Sequence, residues 1–513
     1  MENRKVMVIG LDGATWDLLE PWARNNKLPA LKELMEKGCY GPLESTIPHV
    51  TPPAWTSMVT GKNPAKHGVF DFMGIKREKD GWSLSLYTSR SKRSREIWDY
   101  LNGKSIVVNV PLTYPPREIN GIMVTGMYTP DINSEFTYPR EIKEDILKLF
   151  PDYKIELSWA EYEGKKQKFL EDLYKMTEER VNLFWHFFEM DWNFFFFVFV
   201  GTDRLQHIVW DEGELLKYYR YLDDFLGEVI EKIREDRTNL LLVSDHGFAK
   251  IIKEVHINSI LHQEGYLKLK TGQMSGFLRK LGLSKEGLTK ILLKYKLNKF
   301  YDRLPPRVLH IVRKTIPGRS NPVYDFDLKN SKAIMVGTGS IYITEDNKHQ
   351  KKEIEKEIIE KLENLTDPDT GEKIIERVFR KEEVYSGNLM SKAPDLIILP
   401  KKGYSLIHNV SDIAVEKPQF KKADHALNGI FLAYGPDIKE GIQIRGAKIY
   451  DIAPTILHMF GLPIPDDMDG RVLKEIFKEG SEPARREVKY QQVDVERERV
   501  KDTIRRLKKS RKL

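Results

Sequence analysis

Short, nearly continuous apolar runs alternate along the chain with stretches in which apolar positions return every three or four residues. The runs Val6–Ile9, Ile106–Val110, Phe194–Phe199, Leu240–Val243, Leu396–Leu399 and Ile430–Ala433 have strand length. A strand that is apolar on both sides of its pleat is buried on both faces, as in a parallel sheet covered by helices. Helical spacing shows in Leu28–Lys37 and in Asp451–Phe460, which closes at Gly461 with Pro463 beyond it. The alternation predicts an α/β fold with a mostly parallel central sheet flanked by helices.

Two regions interrupt this rhythm. Residues 133–190 are largely helical in pattern and rich in aromatic and charged positions. Residues 255–330 are basic and amphipathic, with LRKLGLSKEGLTKILLKYKL as the clearest helical stretch. Both are expected as helical caps inserted into one catalytic domain spanning residues 1–480. The remaining residues, 481–513, form a basic tail in which Val493, Val500, Ile504 and Leu507 recur at helical spacing. No internal repeat or low-complexity segment stands out.

Composition narrows the picture little. The chain has 513 residues, and 41 % of them are hydrophobic, enough for a buried core. The 31 % charged content leans on Lys, Glu and Arg, a bias found in proteins of hot environments and silent about function. The net charge of +7 is unevenly placed, with basic residues crowded between Lys268 and Arg319 and from Arg485 to Lys512. Solvated surface is the plain reading of both crowds. Attraction to an anionic substrate, nucleic acid or anionic lipid is the alternative. The single cysteine, Cys39, excludes an internal disulfide and a multi-cysteine zinc site, and is expected as a partly buried thiol of the first αβ unit. The opening MENRKVMVIGLDG enters a strand without the apolar stretch of a signal peptide. No window supplies the roughly 20 apolar residues of a membrane span. The expectation is a soluble, cytoplasmic protein.

Candidate chemistry gathers at the ends of the predicted strands, where α/β sheets place functional groups. Asp12 ends the first strand in VMVIGLDG, although an acid there can also cap a helix. Asp245 and His246 follow Leu240–Val243 in SDHG, where a turn can bring both toward one cation. Asp203 and His207, in GTDRLQH, stand four residues apart and share a face if a helix begins there. His425 lies in KKADHALNGIFLAYGP, in a loop leading to a strand, and alone would read as a surface residue. Carboxylate and imidazole donors together suit zinc, manganese or related divalent ions. Thr51 opens TPPAWTSMVTGKNPAKHG, at a helix start favoured by Pro52 and Pro53. A hydroxyl there faces free N–H groups and the positive end of the helix dipole, a favourable place for an anion. Trp55, Phe70 and Phe72 read either as core or as a surface for stacking a base or lining a lipid pocket.

Taken in order, GLDG, T-P-P-A-W-T-S-M-V-T-G with P-x-x-H-G, D-x-x-x-H, SDHG and the late histidine resemble the alkaline phosphatase superfamily. The resemblance is greatest to its type I phosphodiesterase and nucleotide pyrophosphatase branch, and DIAPTILHMFGLPIPDDMDGRVL is similar to the superfamily's C-terminal helix and turn. The resemblance implies two divalent ions, zinc or manganese. One would be held by Asp203, His207 and His425, the other by Asp12, Asp245, His246 and the Thr51 oxygen. It further implies transfer of a phosphoryl group to Thr51 and hydrolysis of the resulting ester, with a small phosphate ester as substrate. His67 matches P-x-x-H-G, where its expected role is structural. Thr46, Thr56 and Ser57 are rival hydroxyls, set aside because Thr51 holds the motif position.

The chain departs from the branch at Ala54, where an asparagine is typical, so nucleotide specificity is not implied. A sulfatase reading fails because Cys39 stands in CYGPL, with proline at the wrong offset and no arginine. A phosphomutase, a phospho-group transferase and a phosphomonoesterase of the same superfamily stay open. A binding protein that uses its basic helices would not need seven candidate ligands in order.

Overall fold

The computed structural model describes residues 4–78, 81–157, 162, 164–270 and 326–493. The stretch LRKLGLSKEGLTKILLKYKL and the tail beyond Val493 lie outside these residues.

The central sheet runs, from edge to edge, through Ile442–Gln443, Cys39–Glu44, Asn428–Tyr434, Asn239–Val243, Val6–Leu11, Phe194–Phe199, Ser105–Val108, Gly121–Val124 and Thr137–Tyr138. A tenth short strand, Ala447–Lys448, also pairs with Cys39–Glu44. The five strands from Asn239–Val243 to Gly121–Val124 are parallel. Asn428–Tyr434 is antiparallel to both its neighbours, so the sheet is mixed with a parallel centre.

The run Phe194–Phe199 shows why no polar position interrupts it. Phe195 and Phe197 pack on Phe184 of helix Lys166–Phe188, while Phe199 packs on Phe225 of helix Glu212–Glu235. On the other face Phe196 meets Trp55 and Trp98, and Phe194 meets Phe460. Alternate side chains thus enter two helical layers, and both faces are dry. Helix Thr51–Thr60 lies on the second face, where Gly10 leaves room for the Trp55 ring. A Cβ at Gly10 would stand 2.5 Å from Trp55 Cη2. The Ser105–Val108 strand is shorter than its apolar run because Asn109 turns into the left-handed region at φ 59°. Cys39 is fully buried at the head of its strand.

Leu396–Pro400 is a buried strand but belongs to a second, antiparallel sheet. That sheet runs Ala333–Val336, Ser340–Ile343, Leu396–Pro400, Ile375–Arg380. Helix Lys348–Glu363 buries Ile354, Ile358 and Leu362 in the core of this sheet. Residues 133–190 contribute helices Glu141–Leu149 and Lys166–Phe188 to the main core. Late in the chain, helix Ile452–Met459 follows a 3₁₀ turn at Ile449–Asp451, and Gly461 turns left-handed at φ 73°. No helix among the described residues is long and apolar enough to cross a membrane.

The contact at Gly10 yields a test. Gly10→Ala is expected to lower unfolding free energy by about 1–3 kcal/mol, the usual cost of overpacking a filled core. Urea unfolding of the variant measures it, and an unchanged midpoint would contradict the packing described.

Candidate active site

Three neighbouring parallel strands deliver their carboxyl ends to one place. Asp12 follows Val6–Leu11, Asp203 lies in the first turn of helix Gly201–Ile208 after Phe194–Phe199, and Asp245 with His246 follow Asn239–Val243. His425 was expected in a loop but stands on the short strand Ala423–Ala426, which pairs with Gly247–Lys250 and sets it opposite Phe248. Thr51 is the first residue of its helix and is buried.

The expected row of free helix N–H groups at Thr51 is absent. Pro52 and Pro53 carry no N–H, and the Ala54 N–H donates to the Val50 carbonyl at 3.1 Å. Stabilisation of an anion there must come mainly from other groups.

The side chains form two groups. Asp203 Oδ1 stands 3.3 Å from both His207 Nε2 and His425 Nε2, which are 3.0 Å apart. His207 Nδ1 lies 2.9 Å from the Ala423 carbonyl; donating its N–H there leaves a lone pair on Nε2 facing Asp203. In the second group His246 Nδ1 faces the Gly247 carbonyl at 3.1 Å. Its Nε2 is 3.2 Å from Asp245 Oδ2, 3.8 Å from Asp12 Oδ1 and 3.3 Å from Thr51 Oγ1. The His246 and His425 rings stack with centroids 3.7 Å apart, so the groups adjoin. Within each group the donor atoms lie within 4.8 Å of one another.

Every one of the three carboxylates has one oxygen tied and one left over. Trp55 Nε1 donates to Asp12 Oδ2 at 3.0 Å, the Gly13 N–H to Asp245 Oδ1 at 3.2 Å, and Arg204 Nη1 to Asp203 Oδ2 at 2.7 Å. The remaining oxygens, Asp12 Oδ1, Asp245 Oδ2 and Asp203 Oδ1, are buried without a hydrogen-bond partner. They are the oxygens that face the imidazole nitrogens. Lone pairs opposed across 3–4 Å in a dry site call for a shared proton or a cation. The mixed oxygen and nitrogen donor set of each group can hold a divalent metal ion.

The electrostatics carry the same strain. Burial, with the Asp203 charge beside it, pushes Asp12 up to about 8 against the pull of Arg204 and Trp55. Burial and the charges of Asp12 and Asp203 raise Asp245 well above the carboxylate range. For Asp203 burial also opposes the charge, but His207 and Arg204 outweigh it and hold the group well below that range. Burial lowers His207 to about 4 and His246 well below its ordinary value. These two imidazoles are neutral, as ligands must be.

The rival hydroxyls are already engaged. Thr46 donates to the Pro48 carbonyl, Thr56 to that of Pro52, and Ser57 pairs with His67 Nε2 at 2.9 Å. Trp55 and Phe70 are fully buried core, while Phe72 is half-buried against Tyr128. Sequence reading missed the hydrogen bond from Trp55 to Asp12, and missed Arg204 and its partner Glu156 entirely. A third group, Glu254, His256 and Glu416, has both imidazole nitrogens facing partners, Glu416 Oε1 at 2.8 Å and the Asn409 carbonyl at 3.3 Å. That network accounts for itself without a cation. A cavity of about 860 Å³ lies near Tyr153, Glu156 and Asp172, and none of the seven candidate residues lines it.

Comparison with known proteins bears on this site. The model of the type I phosphodiesterase / nucleotide pyrophosphatase family matches residues 6–427. A search of curated proteins found no match. Among solved structures, murine ectonucleotide pyrophosphatase/phosphodiesterase 5 superposes with a TM-score of 0.53 at 15 % identity, covering 93 % of this chain and 100 % of that one. Its inactive threonine-to-alanine variant, in complex with AMP, superposes with the same TM-score at 14 % identity and the same coverage. Phosphonoacetate hydrolase from Sinorhizobium meliloti 1021, in complex with phosphonoformate, gives a TM-score of 0.54 at 14 % identity, over 88 % of this chain and 94 % of that one. These structures share the fold, with its large mixed sheet flanked by helices. With the family model spanning most of its length, the chain belongs to the type I phosphodiesterase / nucleotide pyrophosphatase family and is a phosphoric ester hydrolase.

Proposed function

We propose that this chain hydrolyses phosphodiesters or pyrophosphate linkages through a phospho-threonine on Thr51, with two divalent cations, zinc or manganese, as cofactors. The observation that carries the reading is the convergence of three orphaned carboxylate oxygens and three imidazoles beside the Thr51 hydroxyl. In this reading Asp203, His207 and His425 hold one ion, and Asp12, Asp245, His246 and Thr51 the other. Bound divalent ions supply Lewis-acid charge, which favours the ionised hydroxyl and offsets charge gathering on the phosphoryl oxygens.

The residues of the chain do the rest. Thr51 Oγ1 forms the new bond to phosphorus while the bond to the leaving oxygen breaks, and water later cleaves the Thr51 ester. The Thr51 backbone is fixed at a helix start, which aims the hydroxyl and lowers the entropy of attack. The inactivity of the murine enzyme's threonine-to-alanine variant supports a threonine in this role. Ala54 is fully buried and offers no amide to a substrate. Nucleotide specificity is therefore not part of the proposal.

Two predictions follow the proposed chemistry. Zinc- or manganese-loaded protein is expected to cleave an aryl phosphodiester faster than the matching monoester. Chelation should abolish turnover, and Thr51→Ala should reduce it more than about 10³-fold, as loss of a nucleophile does. Initial rates decide this: monoester preference would reassign the substrate, and metal-independent turnover would overturn the mechanism.

The second concerns pH. In metal-free protein Asp12 has a folded value of about 8, above the ordinary 3.8, so its stabilising contribution is complete near pH 4 and lost as pH rises through about 8. Asp245 is shifted in the same direction. His207, lowered from 6.5 to about 4, acts in the opposite sense but only below about 6.5. Between pH 6.5 and 8, metal-free protein should therefore lose stability, and zinc should restore it. Urea midpoints with chelator and with zinc test this, and a metal-free midpoint that rises over that window would contradict it.

A further inference from the structure

Of the three donors that tie the cluster carboxylates, two are neutral N–H groups, from Trp55 and Gly13, and one is a guanidinium. Arg204 is the residue after Asp203 on helix Gly201–Ile208, and its side chain is only 7 % exposed. A buried arginine is costly to desolvate unless its donors are matched. Here Nη1 meets Asp203 Oδ2 at 2.7 Å and Nη2 meets Glu156, reached from 48 residues earlier in the chain. Glu156 is 29 % exposed and lines the cavity beside the site, so the relay runs from solvent to the cluster.

We propose that Arg204 is a positioning residue that clamps Asp203 Oδ2, so that Oδ1 is presented between His207 and His425, with Glu156 locking the guanidinium. The inference rests on the reading of that group as a metal site. A carboxylate on a flexible bond has two equivalent oxygens and can turn either toward a cation or straddle it. Fixing one oxygen selects a single-oxygen contact and removes the rotation that binding would otherwise have to freeze. The planar guanidinium suits this task because its donors are held in a fixed fork, joining a carboxylate on a helix to one on a distant loop. A lysine at position 204 would keep the charge and lose the second fixed donor.

The experiment is titration of zinc, and separately of cobalt(II), into metal-free full-length wild type and the variants Arg204→Met, Arg204→Lys and Glu156→Gln. Arg204→Met is expected to weaken one of two ions by about 10–100-fold, the usual effect of losing a residue behind a ligand, and leave the other unchanged. The visible cobalt spectrum of the weakened site should change, Arg204→Lys should recover part of the affinity, and Glu156→Gln should fall between. Because Arg204→Met leaves the buried Asp203 Oδ2 unpaired, Arg204→Lys, which keeps a cation beside it, serves as the folded control, with folding of every variant checked by circular dichroism and urea unfolding. Unchanged affinity at both ions would overturn the proposal, and so would equal weakening at both, which marks a merely structural role. If wild type itself binds no ion, the metal reading fails and the clamp with it.

Discussion

Three carboxylates brought together out of water at the carboxyl ends of three central strands are the constraint on which this structure turns. Two unit charges about 4 Å apart repel by about 4 kcal/mol even at an effective dielectric constant near 20. Asp12, Asp203 and Asp245 are all buried, and burial keeps the His207 and His246 imidazoles beside them neutral. Such a site needs positive charge, as protons taken up or as cations bound. The one-tied, one-free arrangement of the carboxylate oxygens shows the direction in which that charge is expected.

Much of the surrounding fold holds this geometry. Parallel strands bring Asp12, Asp203 and Asp245 side by side because their carboxyl ends all point one way. Gly10 lets Trp55 lie against the sheet, and Trp55 in turn ties Asp12 one turn beyond Thr51. The second sheet is attached at the same end: Asp71, downstream of the Thr51 helix, accepts hydrogen bonds from Thr338 N at 3.0 Å and Ser340 Oγ at 3.1 Å. The Thr51 segment is thereby fastened to both sheets. The prolines that start its helix also strip it of backbone donors.

What could be read beforehand follows from local physics. A strand covered on both faces must be apolar throughout, so Phe194–Phe199 and its neighbours were visible, and the acids just past their ends were conspicuous by contrast. The Asp203–His207 spacing worked because a helix does form there. What needed the structure was pairing between distant segments. The apolar run at Leu396–Leu399 says that it is buried, not that its partners are Ser340–Ile343 and Ile375–Arg380. His425 reads as a loop residue because its strand is short and pairs with one as brief. Arg204 passes for an ordinary charged helix position until Glu156 is seen beside it.

Crystals grown with zinc and measured for anomalous scattering test the central claim most directly. The account predicts two peaks, one among Asp203 Oδ1, His207 Nε2 and His425 Nε2, and one among Asp12 Oδ1, Asp245 Oδ2, His246 Nε2 and Thr51 Oγ1. A site without density at either group, with the orphaned oxygens bonded to water or to each other through protons, would contradict it.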